Sequence, residues 1–361
     1  MRFFRSAITT LALGLGAVSC GAGGSSGSTG VPSAVIPATA PNAPTVPHAG
    51  DRTTLSAALG SYSIDPTKIT SAGISSGAYM ATQLHVAYSG TFSASAIFAG
   101  GPYYCAQDNT NIALSDCTNN YYPTNLPVLE QDTDNAAFYG YVDPTSNLSG
   151  EKAYVFSGTR DTTVYPSVVR DARSFYQHYG VNVTSNFSVA AGHGWISPDG
   201  TVSCGTTASP YVNNCGIDAE QTFLTLFYGT LSPRRVGALT GSLKTFDQNE
   251  FFYDGYAPNH SMDTSGYVFV PAACASGTTC KLVVALHGCK QGVSAVGTAF
   301  VTKSGINEWA DTNKIIVLYP QAIATPPNPN GCWDWFGYLS TDYASQSGAQ
   351  MSAIEQMVQR I

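Results

Sequence analysis

The pentapeptide Gly73–Gly77 has the pattern G-x-S-x-G, with Ser75 at its centre. In this pattern a serine nucleophile lies on a tight turn between a strand and a helix, and the glycines permit the close backbone approach that the turn needs. The segment Lys68–Gly73 predicts such a strand, and Ala78–Tyr88 predicts an amphipathic helix. Five-residue matches also arise by chance, but this context predicts Ser75 as a nucleophile and the backbone N–H of Ser76 as a donor to a developing oxyanion.

A serine nucleophile requires a histidine base, which in turn requires an orienting carboxylate. His193 lies between two glycines after a predicted strand; a turn histidine with a purely structural role is the alternative. Asp161 follows the preceding strand, whereas Asp171 falls inside a predicted helix and Asp199 lies beyond the histidine. The order Ser, Asp, His resembles that of the α/β-hydrolases. We therefore predict Ser75, Asp161 and His193 as catalytic residues.

One part of an α/β-hydrolase is missing from its usual place, because too little chain precedes Ser75 for the early strand that carries the second oxyanion donor. The predicted strand Leu282–Leu286 leads instead into His287–Gln291, a loop that resembles the missing one in all but position. A core strand followed by a turn glycine is the alternative. We therefore predict a circular permutation that has moved the early strands to the C-terminal half. The predicted helix Met351–Ile361 would then lead directly into the strand before Ser75.

Predicted strands and helices alternate along the chain, which is typical of an α/β fold with a mostly parallel sheet covered by helices on both faces. Besides those already named, the strands are Ser95–Ala99, Lys152–Ser157, Val183–Ala190, Tyr267–Val270 and Ile315–Tyr319, and the helices are Pro166–Tyr179 and Ala219–Tyr228. Neither an internal repeat nor a break in composition divides the chain after residue 51. We therefore expect residues 52–361 to form a single catalytic domain.

The composition indicates an exported globular protein. Charged residues make up 11% of the 361 positions, the net charge is −7 and no basic cluster occurs. A nucleic-acid partner is thereby excluded, because phosphate binding needs grouped Lys and Arg. The hydrophobic fraction of 43% suffices for a full core. No run of about 18 apolar residues occurs, so we expect no transmembrane segment.

The N-terminal residues are expected to target and tether the domain rather than to fold. Two arginines precede an apolar run, which is typical of a secretory signal peptide over 1–20. The junction Ala17–Cys20 resembles a bacterial lipobox, so Cys20 is a candidate for lipidation and membrane anchoring; ordinary signal cleavage nearby is the alternative. Residues 21–51 are rich in Gly, Ser and Pro, which predicts a tether.

The other eight cysteines indicate disulfides in an exported chain. They allow 105 pairings, among which sequence alone cannot choose. The spacing suggests Cys105–Cys117, Cys204–Cys215, Cys274–Cys280 and Cys289–Cys332. A metal site is disfavoured because the chain has no C-x-x-C, no H-E-x-x-H and no histidine pair at ligand spacing. We therefore expect disulfides, and neither a metal nor another cofactor.

Several segments resemble extracellular poly(3-hydroxybutyrate) depolymerases. Those that match ordinary members, in which they precede the serine motif, are Leu286–Gln291, Cys332–Phe336 and Ile354–Val358. Those that match the circularly permuted, single-domain members are Gly73–Tyr79, Gly100–Cys105 and Ala191–Trp195. The resemblance covers nearly all of 52–361. It implies a permuted α/β-hydrolase fold and the catalytic residues already named, with the backbone N–H groups of Ser76 and Cys289 as oxyanion donors.

Together these features predict a secreted serine esterase that hydrolyses poly(3-hydroxybutyrate) through an acyl-enzyme. The expected partner is the polyester surface or its oligomers, bound in an open crevice, and we expect a monomer. Trp333 and Trp335 are candidates for lining that crevice, with a place in the core as the alternative. A feruloyl or acetyl esterase of plant polysaccharide with the same catalytic residues is the nearest alternative function. A non-catalytic surface-binding protein on the same fold is a more distant one.

Overall fold

The computed structural model describes residues 56–361. The signal peptide predicted over 1–20, the tether predicted over 21–51 and the lipidation candidate Cys20 lie outside the described residues. The strands of the described part are β1 Ile64–Ile74, β2 Ala94–Phe98, β3 Lys152–Phe156, β4 Asn182–Asn186, β5 Trp195–Ile196, β6 Val202–Ser203, β7 Val212–Asn214, β8 Ser242–Asp247, β9 Ser265–Val270, β10 Cys280–Leu286 and β11 Ile315–Tyr319.

Eight of these strands form one sheet in the order β4-β3-β2-β1-β10-β11-β9-β8, and β5, β6 and β7 form a small second sheet. The first six strands in this order, β4, β3, β2, β1, β10 and β11, are parallel to one another. Strands β9 and β8 pair antiparallel at one edge. The predicted α/β class with a mostly parallel sheet is thereby confirmed. Strands β2, β10 and β11 are buried almost throughout, which explains why their apolar residues run continuously instead of alternating.

The helices are α1 Ser76–Ala87, α2 Thr110–Ser115, α3 Leu126–Phe138, α4 Pro166–His178, α5 Ala219–Tyr228, α6 Ala272–Ala275, α7 Val293–Val296, α8 Ala299–Lys303, α9 Ile306–Asn313 and α10 Ala349–Arg360. Short 3₁₀ turns lie at Thr145–Leu148, Asn249–Phe251 and Ala257–His260. Helix α1 differs from the amphipathic helix predicted there, because all of its residues are buried. It packs on β1 and β2 and also contacts β10 and α10, so no face is left to solvent.

The carboxyl ends of the parallel strands meet at one edge of the sheet, and the loops that leave this edge carry the predicted site residues. Ser75 directly follows β1, and Asp161 lies shortly after β3. His193 lies after β4, and Cys289 lies shortly after β10. Ligand sites of open parallel sheets form at this edge, and the topology places all four predicted residues on loops that leave it.

The C-terminus lies beside the start of β1. The backbone N–H of Tyr62 donates to the carbonyl oxygen of Ile361 at 2.5 Å. Helix α10 therefore ends where the strand that leads to Ser75 begins.

All four disulfides suggested by the spacing are present, and the pairing is confirmed. They are Cys105–Cys117, Cys204–Cys215, Cys274–Cys280 and Cys289–Cys332, with Cα–Cα distances of 6.0, 4.5, 5.9 and 4.2 Å. Three of them close short loops, whereas the last joins the turn after β10 to a segment 43 residues further along the chain. Within residues 56–361, no helix combines the length and apolar character that crossing a membrane requires.

Candidate active site

Ser75 lies on a strained turn between β1 and α1. Its backbone angles are φ 58° and ψ −124°, a region that residues other than glycine rarely occupy. The Ser75 N–H donates to the carbonyl oxygen of Phe98, at the end of β2, at 2.9 Å. A Cβ atom on Gly73 would lie 2.1 Å from the carbonyl oxygen of Gly77, so the turn needs glycine at that position. These contacts hold Ser75 partly exposed at the edge of the sheet.

The turn after β10 packs directly against the Ser75 turn. A Cβ atom on Gly77 would lie 2.3 Å from the carbonyl oxygen of Leu286, and one on Gly288 would lie 3.2 Å from the Cβ of Ser75. The second glycine of the serine motif therefore permits the approach of another strand's end. The structure thus places His287–Gln291 beside the predicted nucleophile, although the two segments lie in opposite halves of the chain.

Three of the four backbone N–H groups in the turn 288–291 have partners. The Gly288 N–H donates to Oε1 of Gln291 at 2.7 Å, and the Gln291 N–H donates to the carbonyl oxygen of Gly288 at 3.2 Å. The Lys290 N–H donates to the carbonyl oxygen of Asn330 at 2.7 Å. The N–H of Cys289 has no hydrogen-bond partner among residues 56–361. It is therefore the one N–H of this turn that is available to a substrate oxygen.

The backbone N–H of Ser76 is available in the same way. Ser76 is the first residue of α1, and the first N–H groups of a helix have no partner within the helix. In the part of the chain that the structure describes, the Ser76 N–H has no other backbone partner. The two predicted oxyanion donors thus lie on two turns in contact with each other.

His193 and Asp161 form a buried pair, with Nδ1 of His193 at 2.8 Å from Oδ2 of Asp161. The other carboxylate oxygen of Asp161 accepts the N–H groups of Thr163 at 2.8 Å and Val164 at 3.0 Å. The His193 N–H donates to Oγ1 of Thr207 at 2.9 Å. A carboxylate oriented in this way keeps a proton on Nδ1, which leaves Nε2 to act as a base.

The two rival carboxylates lie in other environments. Asp199 forms an ion pair with Arg234. Asp171 is part of α4, where burial raises its pKa. Of the three aspartates weighed from the sequence, Asp161 is the one with a hydrogen bond to His193.

His287 stabilises the turn after β10. It is fully buried, and burial lowers its pKa to about 4, against the opposing effect of its hydrogen bond to the Gly288 carbonyl. Its Nδ1–H donates to that carbonyl at 2.7 Å, and its Nε2 accepts the N–H of Ala322 at 3.1 Å. The imidazole is therefore neutral near pH 7, and it connects the turn after β10 to the residues after β11.

The two candidate crevice tryptophans lie in different environments. Trp333 is fully buried, and its Nε1–H donates to the carbonyl oxygen of His287 at 2.9 Å. Since it has no surface with which to line a crevice, the prediction for Trp333 is corrected to its alternative, a core tryptophan that supports the turn. Trp335 is 6% exposed and stacks on Tyr79 with ring centroids 4.1 Å apart. A substrate-binding role for Trp335 stays a prediction.

Sequence reasoning missed two side chains that hold this site. Thr207 supports the backbone of His193, and Gln291 supports the Gly288 N–H. Gln291 lies in a segment that the sequence singled out, but its partners were not readable from spacing. Among residues 56–361, no group of three or more His, Cys, Asp or Glu side chains is arranged to hold a metal ion.

Comparison with known proteins places the chain in a family. A search against protein-family descriptions finds no match. The chain is 42% identical over 311 residues to a poly(3-hydroxybutyrate) depolymerase from Delftia acidovorans, covering 84% of this chain and 61% of that protein. It is 37% identical over 324 residues to the polyhydroxybutyrate depolymerase of Talaromyces funiculosus, covering 84% of this chain and 92% of that protein. The chain belongs to the polyhydroxybutyrate depolymerase family.

Solved depolymerase structures share this fold. The crystal structure of a PHB depolymerase from Penicillium funiculosum matches with a TM-score of 0.77 at 36% identity, covering 84% of this chain and 98% of that chain. A PHB depolymerase variant in complex with an R3HB trimer matches equally well. The described depolymerase fold therefore extends over nearly the whole of these relatives, whereas the chain spans less than two thirds of the length of the Delftia acidovorans protein.

Proposed function

We propose that this chain is a secreted carboxylic ester hydrolase that cleaves poly(3-hydroxybutyrate), with Ser75 as its nucleophile. The observation that carries the proposal is the geometry at the sheet edge. A strained serine turn lies against a turn in which the Cys289 N–H has no partner among residues 56–361, and a buried His193–Asp161 pair occupies loops from the same edge. Membership of the depolymerase family supports the polyester as the substrate, and so does the likeness to a relative solved with an R3HB trimer.

In the proposed mechanism, Oγ of Ser75 attacks the ester carbonyl while His193 takes its proton as a general base. Asp161 orients the imidazole and stabilises its cation. The N–H groups of Ser76 and Cys289 donate to the oxyanion of the tetrahedral intermediate, where charge develops during the attack. The alcohol end of the polymer leaves with the proton from His193. Water, activated by the same base, then releases the 3-hydroxybutyrate oligomer from the acyl-enzyme.

We infer that the catalytic domain itself contacts the solid polymer. Tyr121 and Tyr122 are 73% and 64% exposed. They follow the loop Cys105–Cys117, which the hydroxyl of Tyr79 in α1 anchors through a hydrogen bond to the carbonyl oxygen of Cys117. Exposed aromatic rings offer a large apolar area to an uncharged polyester. The hydrogen bond between Tyr79 of α1 and Cys117, which precedes Tyr121 by four positions, supports adsorption near the proposed site.

The experiment that tests the function compares wild type with Ser75→Ala on two substrates. Wild type is expected to clear a suspension of amorphous poly(3-hydroxybutyrate) and to hydrolyse p-nitrophenyl butyrate, and Ser75→Ala is expected to do neither. Soluble-ester hydrolysis without clearing contradicts the polymer substrate and favours the feruloyl or acetyl esterase. Clearing of the suspension by Ser75→Ala contradicts the assignment of Ser75, Asp161 and His193 as the catalytic residues. Adsorption without hydrolysis by the wild type favours the non-catalytic binding protein.

We also propose that the fold is circularly permuted. The hydrogen bond between Tyr62 and Ile361 supports this, because a chain joined at that point would run from α10 into β1. The test links Ile361 to Tyr62 through a short linker and opens the chain at the exposed residue Val236. The rearranged chain is expected to fold and to retain hydrolysis of p-nitrophenyl butyrate. An unfolded product contradicts the proposal.

We propose that the protein is exported and monomeric. The four disulfides support export, since such bonds persist in oxidising compartments.

Anchoring through Cys20 is tested by labelling with palmitate. Incorporation that is lost in Cys20→Ala supports a lipoprotein, and no incorporation into the wild type contradicts it. Size-exclusion chromatography checks the monomer.

A further inference from the structure

We propose that Gln291 is a positioning residue that keeps the oxyanion turn, residues 288–291, aligned with the loop that supports His193. This inference rests on the proposed function, in which the N–H of Cys289 receives the oxyanion. Gln291 is 1% exposed, and both ends of its side-chain amide have hydrogen-bond partners. Neither the serine motif nor the His193–Asp161 pair explains such a buried amide.

The partners of Gln291 fix the direction of its amide. Its Oε1 accepts the Gly288 N–H at 2.7 Å. Its Nε2 donates to the carbonyl oxygens of Pro210 at 3.2 Å and Tyr211 at 2.9 Å. Because a backbone N–H only donates and a carbonyl only accepts, this position needs an acceptor and a donor on one planar group. Glutamine meets that need, whereas glutamate and methionine, which are similar in size, do not.

At the oxyanion turn, Gln291 determines which N–H stays free. Its side chain occupies the Gly288 N–H, and its own N–H closes the turn on the carbonyl oxygen of Gly288 at 3.2 Å. With the Lys290 N–H bonded to Asn330, the Cys289 N–H is left for a substrate oxygen. Without the side chain, the buried Gly288 N–H would be unpaired. The turn would then rearrange to avoid that cost.

At the other end of its side chain, Gln291 contacts the loop closed by the disulfide Cys204–Cys215. The carbonyl oxygen of Tyr211 that accepts its Nε2–H also accepts the N–H of Trp195 at 2.9 Å. Trp195 follows His193 by two positions, and Thr207 in the same loop accepts the N–H of His193. One buried amide therefore joins the support of the base to the turn of the oxyanion donor. A shift of either one would misalign the base and the donor relative to each other.

The test is Gln291→Glu, with Gln248→Glu as a matched control. Gln248 is also fully buried, and its Oε1 accepts a backbone N–H, that of Gln321, at 2.9 Å. Its Nε2 donates to the carbonyl oxygens of Asp263 at 2.6 Å and Gln321 at 3.0 Å. Both substitutions place a carboxylate against two carbonyl oxygens, so both are expected to lower the melting temperature. Of the two glutamines, only Gln291 bonds directly to the oxyanion turn.

On p-nitrophenyl butyrate, Gln291→Glu is expected to lower kcat by about 10- to 100-fold, with KM changed by less than about threefold. Gln248→Glu is expected to keep both constants near those of wild type. Lowering the pH should restore part of the lost kcat of Gln291→Glu relative to wild type. A protonated carboxyl group donates its O–H to a carbonyl and still accepts the Gly288 N–H.

The proposal is overturned if Gln291→Glu loses no more kcat than Gln248→Glu at a temperature where both are folded. It is also overturned if the kcat of Gln291→Glu relative to wild type does not change with pH. If Gln291→Glu does not fold, Gln291→Met replaces it. That variant removes both hydrogen-bonding ends without adding charge, and it should lose kcat without recovery at low pH. Failure of the proposed function is distinct, because Ser75→Ala then retains hydrolysis whatever the Gln291 variants do.

Discussion

Asp161 contacts His193 through one oxygen only, because the N–H groups of Thr163 and Val164 occupy the other. An amide in its place can turn its NH₂ toward Nδ1 and stabilise the wrong imidazole tautomer. We therefore expect Asp161→Asn to lower kcat on p-nitrophenyl butyrate by about 10⁴-fold with little change in melting temperature. Asp199→Asn is the control at a half-buried ion pair that does not include His193. Equal activity of the two variants would contradict the role of Asp161.

A second prediction at the scale of residues concerns Asp334, in the segment that follows Cys332. Burial raises the pKa of Asp334 to about 6, although the N–H groups of Leu339, Tyr338 and Gly337 donate to its carboxyl group and oppose the rise. Because this pKa is higher in the folded than in the unfolded state, the free energy of unfolding should fall as the pH rises from about 4 to about 6. The fall attributable to Asp334 is on the order of 3 kcal/mol.

Urea unfolding of wild type and Asp334→Asn across this pH range checks the prediction. The variant should lack the fall, and equal slopes for the two proteins would contradict the assignment. Asp311→Asn, compared with wild type below pH about 4, is a control of opposite sign. Although Asp311 is buried, the hydrogen bonds from Thr240, Arg235 and Gly241 lower its pKa. Its contribution to stability is therefore present above pH about 4 and is lost as the pH falls through the lowered pKa.

At the scale of elements, Gly77 is the contact between α1 and β10. A Cβ atom there would lie 2.3 Å from a backbone carbonyl oxygen of Leu286, so Gly77→Ala must push the oxyanion turn away from Ser75. We expect a loss of stability on the order of 2–4 kcal/mol, measured by urea unfolding, together with a fall in kcat. Gly60→Ala is the control, because its nearest contact is the hydroxyl of the Tyr62 side chain. Similar losses from both variants would contradict this account.

The disulfides differ in what they hold. Cys289–Cys332 spans a sequence separation of 43 and includes the proposed oxyanion donor, whereas Cys274–Cys280 spans 6. Loop-closure entropy predicts that replacing the first pair with alanine costs about 4 kcal/mol of unfolding free energy, and the second about 2 kcal/mol. Only the first replacement should also lower kcat. Urea unfolding of the two double variants measures the stability losses, and ester hydrolysis measures kcat. A larger stability loss from replacing Cys274–Cys280 than from replacing Cys289–Cys332 would contradict the loop-closure account.

Some elements followed from local patterns and others did not. Helix α4 begins at Pro166 as predicted and ends at His178, one residue before the predicted end, with Gly180 at φ 74° shortly after it. Strand β8 was not predicted because its residues are mostly exposed and polar, as suits an antiparallel edge strand. Helix α3 was not predicted because only three of its residues are buried, which gives a weak apolar period. The strand predicted over Val183–Ala190 ends at Asn186, where the chain leaves the sheet toward His193.

At the scale of the whole molecule, a chain in which charged residues make up 11% of positions suits an uncharged polymer. We expect Ser75→Ala to adsorb to poly(3-hydroxybutyrate) granules with an affinity that an increase in ionic strength of about tenfold does not weaken. Adding Tyr121→Ser and Tyr122→Ser to this variant should weaken adsorption. The same two substitutions in the protein that keeps Ser75 should leave ester hydrolysis unchanged. Tyr253→Ser, at an exposed tyrosine of another segment, is the control. Equal adsorption of all variants, or release by salt, would contradict the aromatic surface.

The sequence by itself determined what depends on neighbours along the chain. The serine turn and the alternation of strands and helices follow from local patterns. Spacing suggested the three short disulfide loops, and the structure decided the pairing. The order of Ser75, Asp161 and His193 on loops after parallel strands was also readable, because parallel strands deliver their carboxyl ends to one edge. The hydrogen bond between His193 and Asp161 agrees with that order.

Only the tertiary structure decided which polar groups of the site are occupied and which are free. The Cys289 N–H without a partner in the described part of the chain, the amide of Gln291 between two loops and the burial of Trp333 all depend on segments distant in sequence. The burial of α1 on all sides likewise follows from its contacts with β1, β2, β10 and α10. The physical reason is that hydrogen-bond satisfaction and burial are properties of the packed chain. A motif specifies which residue can react, and packing decides what surrounds it.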